Sequence, residues 1–365
     1  MVLKLSELAP ASEALLCSLL ARYLDASAVR CVCGGVPQAT AVLAERFDII
    51  MYTGGPAVAR IVMAAAARHL TPVLLELGGK NPVIVDASAN LDAAARAILR
   101  GRCVNAGQMC TAPEYVLVEA AVEGRLLERL QAAAARMFGE DAKASPSFGR
   151  IVSAGHWRRV AGLLEGAEKA GARALVGGSA AADEATLYIP PTVLREPPAS
   201  AAIWREEVFG PVLCTRRVAS VEEAIAIVNA GDKPLCLYMF STDARAIESV
   251  MARTSAGGVT VNDTMVHATL ADLPFGGVGL SGMGAYHGKH GFDAFSHAKP
   301  VLHFSSLLNL TGAFLDPPYA PGQERTLGAL LRYVPSHLPG SLKDAILAGL
   351  LAAVVGMGLK LSGRI

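Results

Sequence analysis

Glu76 lies inside the apolar run Val73-Leu-Leu-Glu-Leu77, and Cys110 ends the glycine-containing segment Asn105-Ala-Gly-Gln-Met-Cys110. A carboxylate on an apolar strand is costly to bury unpaired. It needs Lys80 or another base beside it, or it carries a chemical task and a raised pKa. A thiol in a loop is open to substrate, and its thiolate is a strong nucleophile. That position makes Cys110 the thiol expected to alkylate first. A third feature is the turn Thr53-Gly54-Gly55-Pro56, between a strand pattern and an Ala-rich helix pattern. Its backbone N–H groups and positive helix end suit a phosphate, although Ala59 follows Val58 where a third glycine is usual. Taken singly, each feature also fits an ordinary role: a paired core carboxylate, an inert core cysteine, a plain strand-to-helix turn.

The elements that would position these residues alternate. Strand patterns at 47–52, 73–77, 82–85, 115–118, 212–218, 235–241 and 258–262 are interleaved with helical patterns. The helices are expected at 13–24, from the 54–56 turn to 69, at 90–102 with Asn90 as cap, and at 122–137, 153–169, 221–230 and 243–254. This alternation predicts an α/β architecture. The segment 105–110 is expected as a loop.

Composition narrows the class. Hydrophobic residues make up 52% and mean hydropathy is +0.39, with Ala and Gly supplying much of it. A net charge of +1 and the lack of a basic stripe argue against nucleic acid as a partner. The cysteines are Cys17, Cys31, Cys33, Cys103, Cys110, Cys214 and Cys236. Their odd number and scattered spacing, with no secretory signal pattern, suggest a reducing compartment. Cys31-Val-Cys33 has no companion pair at zinc spacing and reads as strand, so no metal site is expected. Beyond Leu310 the chain is punctuated by Pro317, Pro318, Pro321, Pro335 and Pro339. An apolar run at 345–359, flanked by Lys343 and Lys360, falls short of the ~20 residues of a spanning helix. It is a candidate membrane anchor; a helix docked on the body is the other reading.

Taken together, the motifs resemble the aldehyde dehydrogenase superfamily. Glu76-Leu-Gly-Gly-Lys80-Asn-Pro, Asn105 to Cys110, and Glu206-Glu207-Val208-Phe209-Gly210-Pro211 are similar to three of its signatures. Asn262-Asp263, Leu273-Pro-Phe-Gly-Gly-Val-Gly279, Ser281 to Lys289 and Phe292-Asp-Ala-Phe-Ser-His297 resemble the class 3 branch, which includes fatty aldehyde dehydrogenases. The resemblance implies that Cys110 is the nucleophile and Glu76 the general base that hydrolyses its thioester. It implies that Glu207 holds the nicotinamide ribose, or shares the base role, and that Phe209 packs beside the nicotinamide. Lys4 and Glu7 match a segment that touches the adenosine ribose, and Gly54, Gly55 and Val58 match the entry to the cofactor-binding helix. The implied cofactor is NAD, with NADP also possible; a carboxylate at Glu7 would accept from a ribose 2′-hydroxyl and repel a 2′-phosphate.

The same resemblance implies an N-terminally truncated member. It would lack the first strands of the cofactor domain, an oligomerisation hairpin and an oxyanion-binding asparagine. Leu5, Met109 and Gly55-Pro56 depart from the family pattern. The expected organisation is an incomplete Rossmann-type cofactor domain at 1–77 and an α/β catalytic domain at 78–285. An oligomerisation-type strand segment at 286–310 and the tail at 311–365 follow. The implied reaction is oxidation of medium- to long-chain aliphatic aldehydes to carboxylic acids. The implied setting is the cytosolic face of the endoplasmic reticulum membrane, or else the cytoplasm, with a homodimer as the candidate assembly. The alternative from another class is a non-catalytic, membrane-tethered remnant. An acylating dehydrogenase that passes the thioester to coenzyme A is disfavoured by Glu76.

Overall fold

Why the strands bury on both sides is visible in their side-chain alternation. Val83 and Val85 face one core with Val116, Val118, Tyr238 and Phe240, while Ile84, Leu117, Leu237 and Met239 face another. Strands covered on both faces read as continuous apolar runs, which is the mark of a parallel sheet between helix layers. The computed structural model describes residues 1–303 and, beyond them, 317–318, 321–322, 324–325, 328 and 349.

The chain opens with β1 (Val2–Lys4), α1 (Pro10–Tyr23), β2 (Arg30–Val32), α2 (Val36–Ala44), β3 (Ile50–Gly54), α3 (Pro56–Ala67) and β4 (Val73–Leu77). β1 pairs in parallel with β2, and β3 with β4. Next come β5 (Pro82–Val85), α4 (Leu91–Cys103), β6 (Tyr115–Glu119), α5 (Glu123–Phe138), α6 (Ala154–Lys169), β7 (Arg173–Val176) and β8 (Thr192–Arg195). They continue through β9 (Val212–Val218), α7 (Val221–Ala230), β10 (Cys236–Phe240), α8 (Ala244–Arg253) and β11 (Gly258–Val261). These strands form one sheet in the order β11-β10-β5-β6-β9-β8-β7, antiparallel only between β7 and β8. Finally β12 (Gly282–Met283) returns to pair antiparallel with β4, and α9 (Gly288–Ala294) follows.

The helix starts follow their caps. Asn90, Ser153, Ser220 and Asp243 each accept a hydrogen bond from a first-turn N–H with the side chain. Such a cap contributes about 1 kcal/mol. The α/β expectation therefore holds, and most elements fall within a residue or two of their expected bounds. The strand expected at 47–52 instead runs from Ile50 to Gly54, because its register is set by pairing with Val73–Leu77.

β12, from residues 282–283, belongs to the sheet of β3 and β4. The segment 286–310 opens with the helix α9 instead of a strand, supported by an ion pair between Lys289 and Asp293 one turn apart. Residues from 304 in that segment, and the candidate anchor at 345–359, lie outside the described residues. Among the described residues, no helix is long and apolar enough to cross a membrane. Met1–His297 forms one compact unit.

Candidate active site

The cysteine loop is held by force. α4 ends at Cys103, and the backbone then takes left-handed φ values of 51° at Asn105 and 52° at Ala106. Such values cost non-glycine residues of order 1–3 kcal/mol and persist only where the surroundings impose them. Here they do. Asn105 Nδ2 donates to the Gln108 carbonyl (3.1 Å), and Gln108 Nε2 donates to the carbonyls of Asn105 (2.9 Å) and Arg150 (3.0 Å). Gln108 Oε1 accepts from Val152 N (2.9 Å). Gly107, at φ 75°, backs onto the next loop so closely that a Cβ would lie 2.3 Å from the Gly210 carbonyl.

Cys110 itself is fixed through its backbone. Asn81, fully buried, donates through Nδ2 to the carbonyls of Cys110 (2.7 Å) and Ala112 (2.9 Å). Its Oδ1 accepts from Cys236 N (2.9 Å), tying the loop to β10. Tyr238 donates its hydroxyl proton to the Thr111 carbonyl (2.5 Å). The loop thus rests on the end of the main sheet, while the Cys110 side chain stays half-buried.

Glu76 comes from the other sheet. On β4 it sits between Thr53 of β3 and Gly282 of β12. It is 2% exposed, and its Oε1 has no hydrogen-bond partner. Burial raises its pKa, opposed by the interaction with the Cys110 thiol. Burial also pushes the Cys110 thiol well above the ordinary range, and the Glu76 carboxyl adds to this. The structure therefore brings the two residues together. The thiol proton has an acceptor beside it, and the unpartnered oxygen is free to take one. Lys80, named as a possible partner of Glu76, pairs elsewhere. Its ammonium lies 2.5 Å from Glu114.

Glu114 is the hub of a buried ionic cluster. Besides Lys80 it binds Arg102 Nη1 (2.7 Å) and accepts from Val208 N (2.9 Å). Burial alone would raise its pKa, but the two cations bring it down to about 2. Arg102 is fully buried and also donates to the carbonyls of Pro113 and Gly107 (both 2.8 Å). The cluster ties the cysteine loop, the strand after it and the segment 207–210 into one body.

Glu207 lies at the edge of that body. Its backbone carbonyl and that of Val208 accept from Arg159 at 2.9 and 2.7 Å. Burial, then the charge of Glu114, raises the Glu207 carboxyl to about 7. Phe209 beside it holds a left-handed φ of 46°.

The other expected cofactor residues occupy two places. Gly54 ends β3, and Gly55 precedes α3 with no side-chain cap and open space beside its Cα. Val58 is exposed on α3. Between α3, β4 and the 279–283 segment lies a cleft of about 180 Å³, lined by Pro56, Ala59, Met63, Leu77 and Leu280 among others. Lys4 and Glu7 form an ion pair of 2.6 Å, but on the β1–β2 sheet, not on the sheet of Glu76.

Among the thiols, Cys33 is exposed and Cys110 half-buried. Among the described residues, no group of three His, Cys, Asp or Glu could hold a metal ion. The sequence reading passed over Asn81, Arg102 and Glu114. The available signals were an arginine on the apolar face of α4 and a glutamate just ahead of an apolar strand.

The aldehyde dehydrogenase family model matches residues 1–301. The chain is 46% identical over 301 residues to "Aldehyde dehydrogenase, dimeric NADP-preferring" of Canis lupus familiaris, covering 82% of this chain and 65% of that one. It is 47% identical to "Aldehyde dehydrogenase family 3 member A2" of Rattus norvegicus, over 82% of this chain and 61% of that one. The chain thus spans less than two thirds of the length of these relatives. Among solved structures, the substrate-bound AldH of Staphylococcus aureus superposes with a TM-score of 0.81 at 38% identity, covering 90% of this chain and 70% of that one. An NAD-dependent aldehyde dehydrogenase from Sinorhizobium meliloti gives 0.74 at 32% identity, covering 83% and 62%. With Glu76 and Cys110 facing each other on this fold, the chain belongs to the aldehyde dehydrogenase family.

Proposed function

We propose that the chain oxidises aliphatic aldehydes of medium to long chain to carboxylic acids, with NAD(P) as acceptor. The observation that carries this is the meeting of the Cys110 thiol with the buried, half-unpartnered Glu76 carboxyl. Glu76 takes the thiol proton as Cys110 Sγ adds to the aldehyde carbon, giving a thiohemiacetal. A nicotinamide bound here would supply the hydride acceptor needed to oxidise this adduct to a thioester. Glu76 passes the thiol proton to solvent, and the freed carboxylate then draws a proton from water as the water oxygen attacks the thioester. The C–S bond breaks, the acid leaves, and Cys110 regains its proton.

The residues present fit a dinucleotide. The uncapped start of α3 leaves backbone N–H groups for a phosphate, and the cleft beside it is apolar. Glu207, Phe209, Gly54, Gly55 and Val58 would hold the nicotinamide end and the phosphates, and Lys4 and Glu7 the adenosine ribose. The Lys4 ammonium, 2.6 Å from Glu7, offsets part of the carboxylate charge that a 2′-phosphate would meet. Both dinucleotides are therefore part of the proposal.

The dog relative's name describes a dimer, and we extend that assembly to this chain. The apolar run 345–359 supports tethering at the cytosolic face of the endoplasmic reticulum membrane.

The experiment is pre-steady-state kinetics, with substrate in excess, of the 365-residue chain with a fatty aldehyde and each dinucleotide. Cys110→Ala should abolish reduction of the cofactor. Glu76→Gln should leave a burst followed by slow turnover, since hydrolysis suffers more than the first step. A chain that binds dinucleotide but reduces none with any aldehyde would overturn the reading in favour of a non-catalytic remnant.

A further inference from the structure

Cys17 on α1 and Cys33, the residue after β2, have their sulfurs 2.9 Å apart. Cys31 also interacts with Cys17. These thiols play no part in the aldehyde chemistry: they belong to the β1–β2 layer, whereas Glu76 lies on another sheet. A second contact keeps them together. Gly34 N donates to Glu13 Oε1 (3.1 Å), fastening α1 to the turn just beyond Cys33. The pair is also asymmetric. Cys33 is exposed and open to a solute, whereas Cys17 is half-buried behind it.

We propose that Cys17 and Cys33 are a reversible dithiol–disulfide site, oxidised by exchange with a small disulfide such as glutathione disulfide. The exposed Cys33 thiolate attacks one sulfur of glutathione disulfide and releases one glutathione thiolate. Cys17 then loses its proton to solvent and attacks the Cys33 sulfur. The Cys33–glutathione bond breaks and a second glutathione leaves. Two protein thiols are oxidised, and one disulfide is reduced to two thiols. The sulfurs need to approach by roughly 1 Å to reach the bond length of about 2.05 Å. Little packing opposes that movement, because no residue of α1 is buried. The hydrogen bond with Cys33, and then burial, push the Cys17 thiol up to about 12. Cys17 therefore remains a thiol while Cys33 makes the first attack. Cys31, on β2 and paired with Leu3, also interacts with Cys17, but it is half-buried, so the exposed Cys33 is the thiol that meets the small disulfide.

The test is to reduce the full chain, remove the reductant and expose it to glutathione disulfide in a Cys110→Ser background. The products are mapped by mass spectrometry without reduction. The expected result is a peptide bearing Cys17 joined to the one bearing Cys33, with loss of two hydrogens and no glutathione retained at either residue. Fragmentation of the joined peptide should place the bond on Cys33. The link should persist in Cys31→Ser and vanish in Cys33→Ser. The oxidised chain should also melt at a higher temperature than the reduced one, and added dithiothreitol should reverse both changes. A stable glutathione adduct on Cys33 with Cys17 free would overturn the proposal. So would a bond assigned to Cys31, or no change in mass at all. Because fragmentation of the unsubstituted pair decides the question, the outcome stands even if a serine variant fails to fold.

Discussion

Gly78 and Glu207 share one space: a Cβ on Gly78 would lie 2.2 Å from Glu207 Oε1 and 2.6 Å from its Cδ. The bare backbone at Gly78, two residues after Glu76, is what lets the Glu207 carboxyl lie against the end of β4.

Gly78→Ala should therefore displace the Glu207 carboxyl. We expect weaker dinucleotide binding, by about tenfold, which corresponds to ~1.4 kcal/mol. Fluorescence titration with the reduced cofactor reads this directly. Glu207→Ala added to Gly78→Ala should cause no further loss, because the displaced carboxyl has already left its place. Additive losses would show that Gly78 acts through something else.

Glu114→Gln should be among the most damaging single changes away from the reacting atoms. It leaves Arg102 fully buried, and Lys80 largely so, without a counter-ion. Removing one partner of a buried pair costs about 3–5 kcal/mol. Urea unfolding should show that loss as a lower midpoint. A change below about 1 kcal/mol would mean that water reaches the cluster.

The pH response follows from two opposite shifts. The Glu207 carboxyl titrates at about 7 in the fold, against an ordinary value of 4.5. Across that window the folded chain binds the extra proton, so stability from this group falls as pH rises. Glu114 runs the other way: its value of about 2 means its contribution is lost as pH drops below 4.5. Urea midpoints measured from pH 5 to 7.5 should decline, and Glu207→Gln should flatten part of the decline. If Glu207 shares the base role, thioester hydrolysis should also rise with pH to a plateau above about 7, and Glu207→Gln should remove that inflection.

The tail gives a prediction independent of the site. The 365-residue chain should sediment with microsomal membranes and resist carbonate, while the same chain lacking 345–359 should stay in the supernatant. Equal behaviour of the two would leave the docked-helix reading.

What the sequence by itself determined was local. Asn90 caps α4 because its side chain reaches Ala93 N, a contact set within three residues. The runs at 82–85 and 212–215 are strands because their side chains can be buried on both faces. Cys110 and Glu76 were legible as chemistry because motifs of fixed order surround them. Only the tertiary structure decided their partners. Lys80 is four residues from Glu76 yet pairs with Glu114, which lies 34 positions away. Asn81 holds the cysteine loop through carbonyls 29 and 31 residues on. Gly282 reaches Glu76 across about 200 residues to close the second sheet. Periodicity reports which face of an element is buried, not what lies opposite. Charges in a low-dielectric interior select partners by distance in space, and that distance exists only once the sheets have packed.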